Sequence, residues 1–576
     1  MTSLENDPLF YKNFSEELLK KRGGEDKQNK IVFFSVAGSH SFNLNVETSD
    51  SDYFGVYCSN IDRVLSGNNK SQTLDCHDPD YVMFEAEKFC ELLYKGNPKL
   101  IEPLFSDNYC YQSNDWISLG KDRKKFISLS VIKHYISYAK IQLFDAIKAK
   151  EQSEQQQSIE NVLKNLSLSS NHSHHKKLYH TLRILLETNR MIQGGEPLVY
   201  LTGPEREKIM DIRLGKSNVE HVLEEISNLF ESCQKGIDRL RDSNSIQETC
   251  SVKLLSDWLV QLRVNSFIES ESIKESIKFN LSTDFVLNID GDDADQQWKK
   301  ELISKFKQLM IDSGVQDGHL LMIKSSGSHL HGLNNDNKNS NSSINDWIGV
   351  YVSDTKKYLS LYTQPSRIDS INSKTIIKKS KIEINGNEPK SESTSVTYVN
   401  GIQLFEVGLF LTMLEQGNHR AIECLESKES IESVAWKELI SRDINYSSLN
   451  LIVHYWGVAQ GNIGKAKDTK LPLIQRQKLL YHALRLILNS KNLLESKKLL
   501  ELNEQDKEKL LLLKSSDEID IEQFNQLYNE TKEIITVVGN QLSKRDDNSS
   551  KQKKQNEQNL KSSHNDWLIK LRKSLL

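Results

Sequence analysis

Two rhythms of apolar and polar residues run along this chain, and both recur. IVFFSV (31–36) is a short apolar, β-branched and aromatic run closed by Gly38, which predicts a buried strand. DYFGVYC (52–58) alternates well enough for a second strand, and YVMF (81–84) supplies a third. From Glu85 onward the spacing turns helical, with Phe84, Phe89, Leu92 and Leu93 preceding a break at Gly96-Asn97-Pro98. Residues 126–150, 176–193 and 218–240 carry amphipathic helical spacing. Strand, loop, strand, strand and then mostly helix predicts an α+β domain, a small mixed sheet with flanking helices followed by a helical tail.

The same order of signals appears twice. KIVFFSVAGSH (30–40) returns as HLLMIKSSGSH (319–329), and GVYCSN (55–60) as GVYVSD (349–354). FEAEKFCELLYKGNPKLIEPLF (84–105) returns without a gap as FEVGLFLTMLEQGNHRAIECLE (405–426). Trp116 stands eighteen residues before His134-Tyr135, as Trp436 does before His454-Tyr455. KKLYHTLRILLE (176–187) matches LLYHALRLILN (479–489), and SDWLVQLR (256–263) matches NDWLIKLR (565–572). Six matches in one order mark a tandem duplication. The expected division is a core at 1–125 with its helical tail at 126–270, then a second core at 271–440 with its tail at 441–576. The tracts 334–343, 383–394 and 544–563 are polar and of low complexity, and are expected to be disordered insertions.

Composition changes this picture little. The 576 residues exceed what one core usually holds, about 250–300. A hydrophobic content of 37% and a charged content of 27% are those of a globular protein. Net charge is −4, so no bulk basicity announces a nucleic-acid binder, although a local basic groove is compatible with a neutral average. Seven cysteines without a CxxC pair argue against a disulfide framework and against a zinc site. The chain carries no secretory leader pattern and no run of 18 apolar residues, so a cytoplasmic or nuclear location away from the membrane is expected.

The chemistry concentrates in GSHSFNLNVETSDSDYFGVY (38–57). A glycine at the end of a strand lets the backbone approach a ligand closely. The hydroxyl of Ser39 and adjacent amides are suited to triphosphate oxygens. Eleven residues beyond Ser39 stands Asp50-Ser51-Asp52. If that stretch is extended, both carboxylates share a face. Such a pair can hold two magnesium ions about 3.5–4 Å apart, the arrangement that steadies attacking and leaving oxygens in phosphoryl transfer.

This pattern resembles the polymerase-beta-type nucleotidyltransferases, and more closely their RNA-repair-pathway subfamily. The residues that carry the resemblance are Gly38, Ser39, Phe42, Leu44, Ser49, Asp50, Asp52, Gly55, Val56 and Tyr57, then Gly96, Asn97, Pro98, Glu102, Leu104 and Phe105, and in the tail Tyr179-His180 and Arg183. It covers about residues 20–260. One departure is Asn43, where the pattern has glycine; Asn tolerates a positive φ best among other residues. The resemblance implies a third carboxylate on the neighbouring strand. Asp80 opens that strand and is favoured, whereas Glu85 closes it and is equally suited to capping the next helix. His180 and Arg183 share a helix face. They are read either as a basic pair reaching the triphosphate or base, or as a salt-bridged pair fixing the tail to the sheet.

The second copy keeps Gly327, Ser328, Gly332, Asp346, Gly349 and Glu406, but the first ligand position is Ile344 and the position matching Asp80 is Gly401. One carboxylate cannot hold two cations, so this copy is expected to be inactive. Three other patterns carry less. The EF-hand-like Asp290, Asp292 and Glu301 have Asp295 where the loop turn demands glycine. His172, His174 and His175 sit in a Ser/Asn stretch, and the basic run 374–390 suits a solvated hairpin. The expectation is therefore a magnesium-dependent enzyme in the first half. It would transfer a nucleoside monophosphate from a nucleoside triphosphate to a hydroxyl, an RNA end by resemblance, and release pyrophosphate. The alternative is a catalytically inactive nucleotide-binding or scaffold protein. The two units are expected to pack against each other.

Overall fold

The computed structural model describes residues 8–22, 29–67, 73–147, 173–271, 283–285, 293–326, 330, 346–362, 364–369, 401–442, 444, 446, 449–495, 499, 501–515, 519–546 and 550–576. The chain forms two compact units. Unit 1 is Met1–Val64, Asn68–Ser276 and Leu359–Tyr362, and unit 2 is Leu65–Gly67, Ile277–Tyr358 and Thr363–Leu576. No helix among the described residues is long and apolar enough to cross a membrane.

In unit 1 the three expected strands form, as β1 (Lys30–Val36), β2 (Tyr53–Cys58) and β4 (Asp80–Glu85). Two more complete the sheet, β3 (Thr73–His77) and β5 (Tyr111–Gln112), in the order β3-β4-β2-β1-β5. Sequence reasoning missed both because β3 is a half-exposed edge strand and β5 spans two residues. The sheet is mixed, with β2 and β4 parallel and the remaining pairs antiparallel. Both faces of the central strands are covered, which is why their sequence is a continuous apolar run rather than an alternating one. On one face Leu18 and Leu19 of the helix Pro8–Arg22 pack with Phe34, Tyr57, Tyr81 and Met83. On the other, Phe33 stacks on Trp116 at 4.2 Å between ring centroids, and Phe89 leans on the same indole at 5.3 Å.

The break at Gly96-Asn97-Pro98 ends one helix and starts another. Gly96 takes φ +76°, and the Asn97 side chain then accepts from Lys99 N at 3.0 Å to cap the helix Pro98–Phe105. The tail contains the helices Leu129–Ile147, Ser173–Ile192, Gly203–Arg213, Val219–Asp242 and Val252–Glu271.

Unit 2 repeats this plan with β6 (His319–Ser326), β7 (Asp346–Val352), β8 (Arg367–Asp369), β9 (Ile402–Glu406) and β10 (Ser430–Glu432), in the order β10-β6-β7-β9-β8. That is the first order read from the other edge. Even the irregularity recurs: pairing shifts between Ile31 and Phe33 in β1, and between Leu320 and Met322 in β6. The protein is thus two tandem domains, each a five-stranded mixed sheet with flanking helices and a helical tail.

One expectation is corrected. The tract 544–563 was expected to be disordered, yet helices span Ile521–Asp546 and Ser550–Ser574. The second of these buries His564, Trp567, Leu568, Leu571 and Arg572, an anchoring stripe that lies just beyond the polar tract. Residues 334–343 and 383–394, His172, Asp290, Asp292 and the run 374–390 lie outside the described residues, whereas Glu301 stands on the helix Asp293–Asp312.

Candidate active site

Beyond β1 the chain makes a tight turn. Gly38 adopts φ +61°, and a Cβ there would stand 2.4 Å from Asp52 Oδ2, so the position requires glycine on both counts. Ala37 N donates to Asp52 O at 2.7 Å, which ties this turn directly to the Asp loop. Asn43, which stands where the resemblance has glycine, takes φ +59°. Its side chain donates to Leu201 O at 3.0 Å, and Arg206 Nε donates to its carbonyl at 2.7 Å. Residues 44–49 are pinned from the tail: Arg213 Nη2 donates to Ser49 Oγ at 3.0 Å and Nη1 to Leu44 O.

These segments border a cleft of about 800 Å³. Gly38, Ser39, Asp50, Asp52 and Asp80 line one side, and Tyr138, Lys176, Tyr179, His180, Arg183 and Arg213 line it from the helical tail. Of the sequence-predicted residues the cleft therefore gathers all but Glu85. Burial raises the Asp52 carboxyl, and Asp80 and Asp50 push it further in the same direction, against Lys176 and His40. A cation among these oxygens relieves that repulsion.

Glu85 is excluded from the cleft by the strand's period. It is 0% exposed, accepts from Glu87 N at 2.7 Å as the N-cap of the helix Ala86–Tyr94, and lies 3.6 Å from Arg263 Nη2. The capping alternative is the one realised, and Glu85 leaves the catalytic set.

Arg183 is likewise a wall rather than a free cation. Its Nη1 lies 3.1 Å from Glu102 Oε1 and 2.5 Å from Glu187 Oε1, and its guanidinium sits 3.6 Å from the Phe42 ring centroid. It fixes the Phe42 loop and the Glu102 helix to the tail. Burial pushes the His180 imidazole down to about 3, with Arg183, Lys176 and Lys177 adding to the effect, so at neutral pH it is an uncharged hydrogen-bonding group. Two cleft cations escaped sequence reasoning, Lys176 and Arg213. Lys176 stands one helical turn before His180, a signal available in the sequence; Arg213 comes from a helix that had not been expected.

Among the described residues no three His, Cys, Asp or Glu side chains close in enough to hold an ion by themselves. Two loop carboxylates with a third on the neighbouring strand suit magnesium, which binds through one or two carboxylates and completes its octahedron with water and substrate phosphate.

A family model described as the RNA repair pathway DNA polymerase beta family matches residues 15–235 and again 299–569. The chain belongs to this family. It is a tandem duplication of the family's domain, of the polymerase-beta-like nucleotidyltransferase type. No curated protein and no solved structure matches it.

The second family domain differs at the site. Tyr53 pairs with Tyr81 in one sheet and Trp347 with Ile402 in the other, so Asp52 corresponds to Asp346 and Asp80 to Gly401. Gly401 takes φ +84°, and a Cβ on it would meet Asp346 Oδ1 at 1.9 Å, so a side chain at the third position would strain the backbone and displace the Asp346 carboxylate. Gly327, Ser328, Gly332 and Ile344 lie outside the described residues.

Proposed function

We propose that unit 1 transfers a nucleoside monophosphate from a nucleoside triphosphate to a hydroxyl acceptor at an RNA end. The new phosphoester forms at the α-phosphorus, the bond to the β-phosphate oxygen breaks, and pyrophosphate leaves. The observation that carries this reading is the convergence of Asp50, Asp52 and Asp80 with the Gly38-Ser39 turn on one cleft. Asp50, Asp52 and Asp80 are the ligands proposed for two magnesium ions, which when bound offset the charge developing on the phosphoryl oxygens. Ser39 and the backbone around Gly38 hold the β and γ phosphates, and Lys176 and Arg213 face them from the tail. Asp80, exposed at the cleft, takes the proton from the acceptor hydroxyl. Unit 2 is proposed to be inactive in this reaction, having Gly401 where the third carboxylate stands in unit 1.

Incubation of the full chain with each labelled nucleoside triphosphate, magnesium and cellular RNA tests the proposal. Label should enter RNA with wild-type protein and not with Asp50→Asn/Asp52→Asn. Equal incorporation by the double variant would place the chemistry elsewhere.

A further inference from the structure

The wall that faces the cleft in unit 1 is kept in unit 2 with its charge altered. Tyr481-His482 and Arg485 occupy the positions of Tyr179-His180 and Arg183, and Glu423 that of Glu102. Arg485 Nη1 meets Glu423 at 3.0 and 3.1 Å, as Arg183 meets Glu102. The second acid is gone, however: Glu187 in unit 1 corresponds to Asn489, whose two amide atoms are buried and have no hydrogen-bond partner among the described residues. Two positions gain or keep basic groups as well. Pro98 is replaced by His419, whose Nδ1 lies 3.3 Å from His454 Nδ1, and Lys99 is replaced by Arg420. Arg420 and His482 are exposed, and neither side chain has a hydrogen-bond or ion-pair partner among the described residues. His482 lies within electrostatic reach of Arg485, Arg420 and Glu423. Burial pushes His419 down to about 3, and Arg485, His454 and Arg420 add to the effect against Glu423.

Two arginines and three histidines thus cluster around Glu423. In unit 1 the corresponding wall faces carboxylates that call for a metal. In unit 2 the third carboxylate position is a glycine and cannot carry one. Two arginines against Glu423 leave this face net positive, which attracts phosphate directly, and a bound anion supplies the charge that His419, His454 and His482 need to take up protons. The geometry points to a second, metal-independent anion site on unit 2, in which Arg420, His482 and Arg485 grip the polyphosphate chain of a free nucleotide. A nucleotide is favoured over a polymer because His419, Arg420, Glu423, His482 and Arg485 stand at the positions of Pro98, Lys99, Glu102, His180 and Arg183, all of which line the unit 1 cleft of about 800 Å³. The inference does not depend on catalysis in unit 1, and either reading can fail alone.

Calorimetric titration of the full chain with inorganic triphosphate in EDTA tests it. Wild type should bind, and Arg420→Ala/His482→Ala should weaken binding at least tenfold. Both unit 2 side chains are exposed, so an unchanged Tm for the double variant certifies its fold. ATP and ADP should compete with triphosphate. Absence of triphosphate binding in EDTA, or equal binding by the double variant, would each overturn the assignment. Binding of single-stranded RNA without binding of triphosphate would overturn it too.

Discussion

Asp80 and Glu85 stand five residues apart on one strand, and that odd spacing sends one to the cleft and the other to the interior. The sequence tells that both cannot face the same way; which one does depends on the register of β4 against β2, a matter of tertiary pairing. Asp80→Asn should reduce transfer by at least a hundredfold with Tm unchanged. Glu85→Gln should leave the cleft intact but cost about 1–3 kcal/mol in urea unfolding, through the weakened cap and the Arg263 contact. Arg183 was undecided for a similar reason, since its partner Glu102 lies 81 residues away. Removing one member of a buried ion pair costs about 3–5 kcal/mol, so Arg183→Ala should unfold unit 1 more easily. Lys176→Ala, by contrast, should raise KM for the triphosphate about tenfold at constant stability. The Arg183 cluster also has a pH signature. Burial, with Glu102 adding to it, pushes Glu187 up to about 8 from its ordinary 4.5, against the pull of Arg183. A carboxyl whose pKa is raised on folding gives stability that is complete below 4.5 and lost as pH rises to about 8. Denaturation followed from pH 5 to 9 should show this decline in wild type and a flatter profile in Glu187→Gln.

Among the elements, the loop from Gly38 to Asp52 shows how local rules and distant packing divide the work. Its tight turn was legible: Asn43 stands where the resemblance has glycine, and its φ of +59° is the conformation that substitution tolerates. What holds the loop was not legible, because Leu201, Arg206 and Arg213 belong to a segment more than 150 residues further on. Asn43→Gly should therefore lose the Leu201 bond while relieving backbone strain, and change stability little. Asn43→Ala keeps the strain and loses the bond, and should cost about 1–2 kcal/mol by thermal or chemical unfolding. The helix Ser550–Ser574 illustrates the opposite limit. Its first ten residues are polar throughout, so composition suggests disorder, whereas its second half carries the Trp567, Leu568 and Leu571 stripe that packs into the unit 2 core. An average over a window hides where a helix is anchored.

For the molecule as a whole, duplication was the most legible feature, because core positions and turn residues repeat in fixed order even where site residues have changed. The extent of each folded unit was less so. A sequence reading ends unit 1 near residue 270, yet its compact body also includes Leu359–Tyr362. The reason lies with Arg263, which is 0% exposed and donates from Nη1 to Leu359 O at 2.7 Å and from Nη2 to Glu87 at 2.8 Å. Leu361 N adds a bond to Ser256 Oγ at 3.2 Å. Residues 1–276 expressed alone keep every cleft side chain but lose this acceptor. A buried charged donor left without its partner costs about 1–3 kcal/mol, a sizeable part of the 5–15 kcal/mol that typically holds a domain together. The fragment should fold, bind triphosphate with near-native affinity, and unfold at lower urea concentration than unit 1 does in the full chain. A fragment as resistant to urea as the intact protein would show that Leu359–Tyr362 contribute nothing to unit 1. A fragment that is equally stable but unable to bind triphosphate would instead separate the integrity of the cleft from that of the fold.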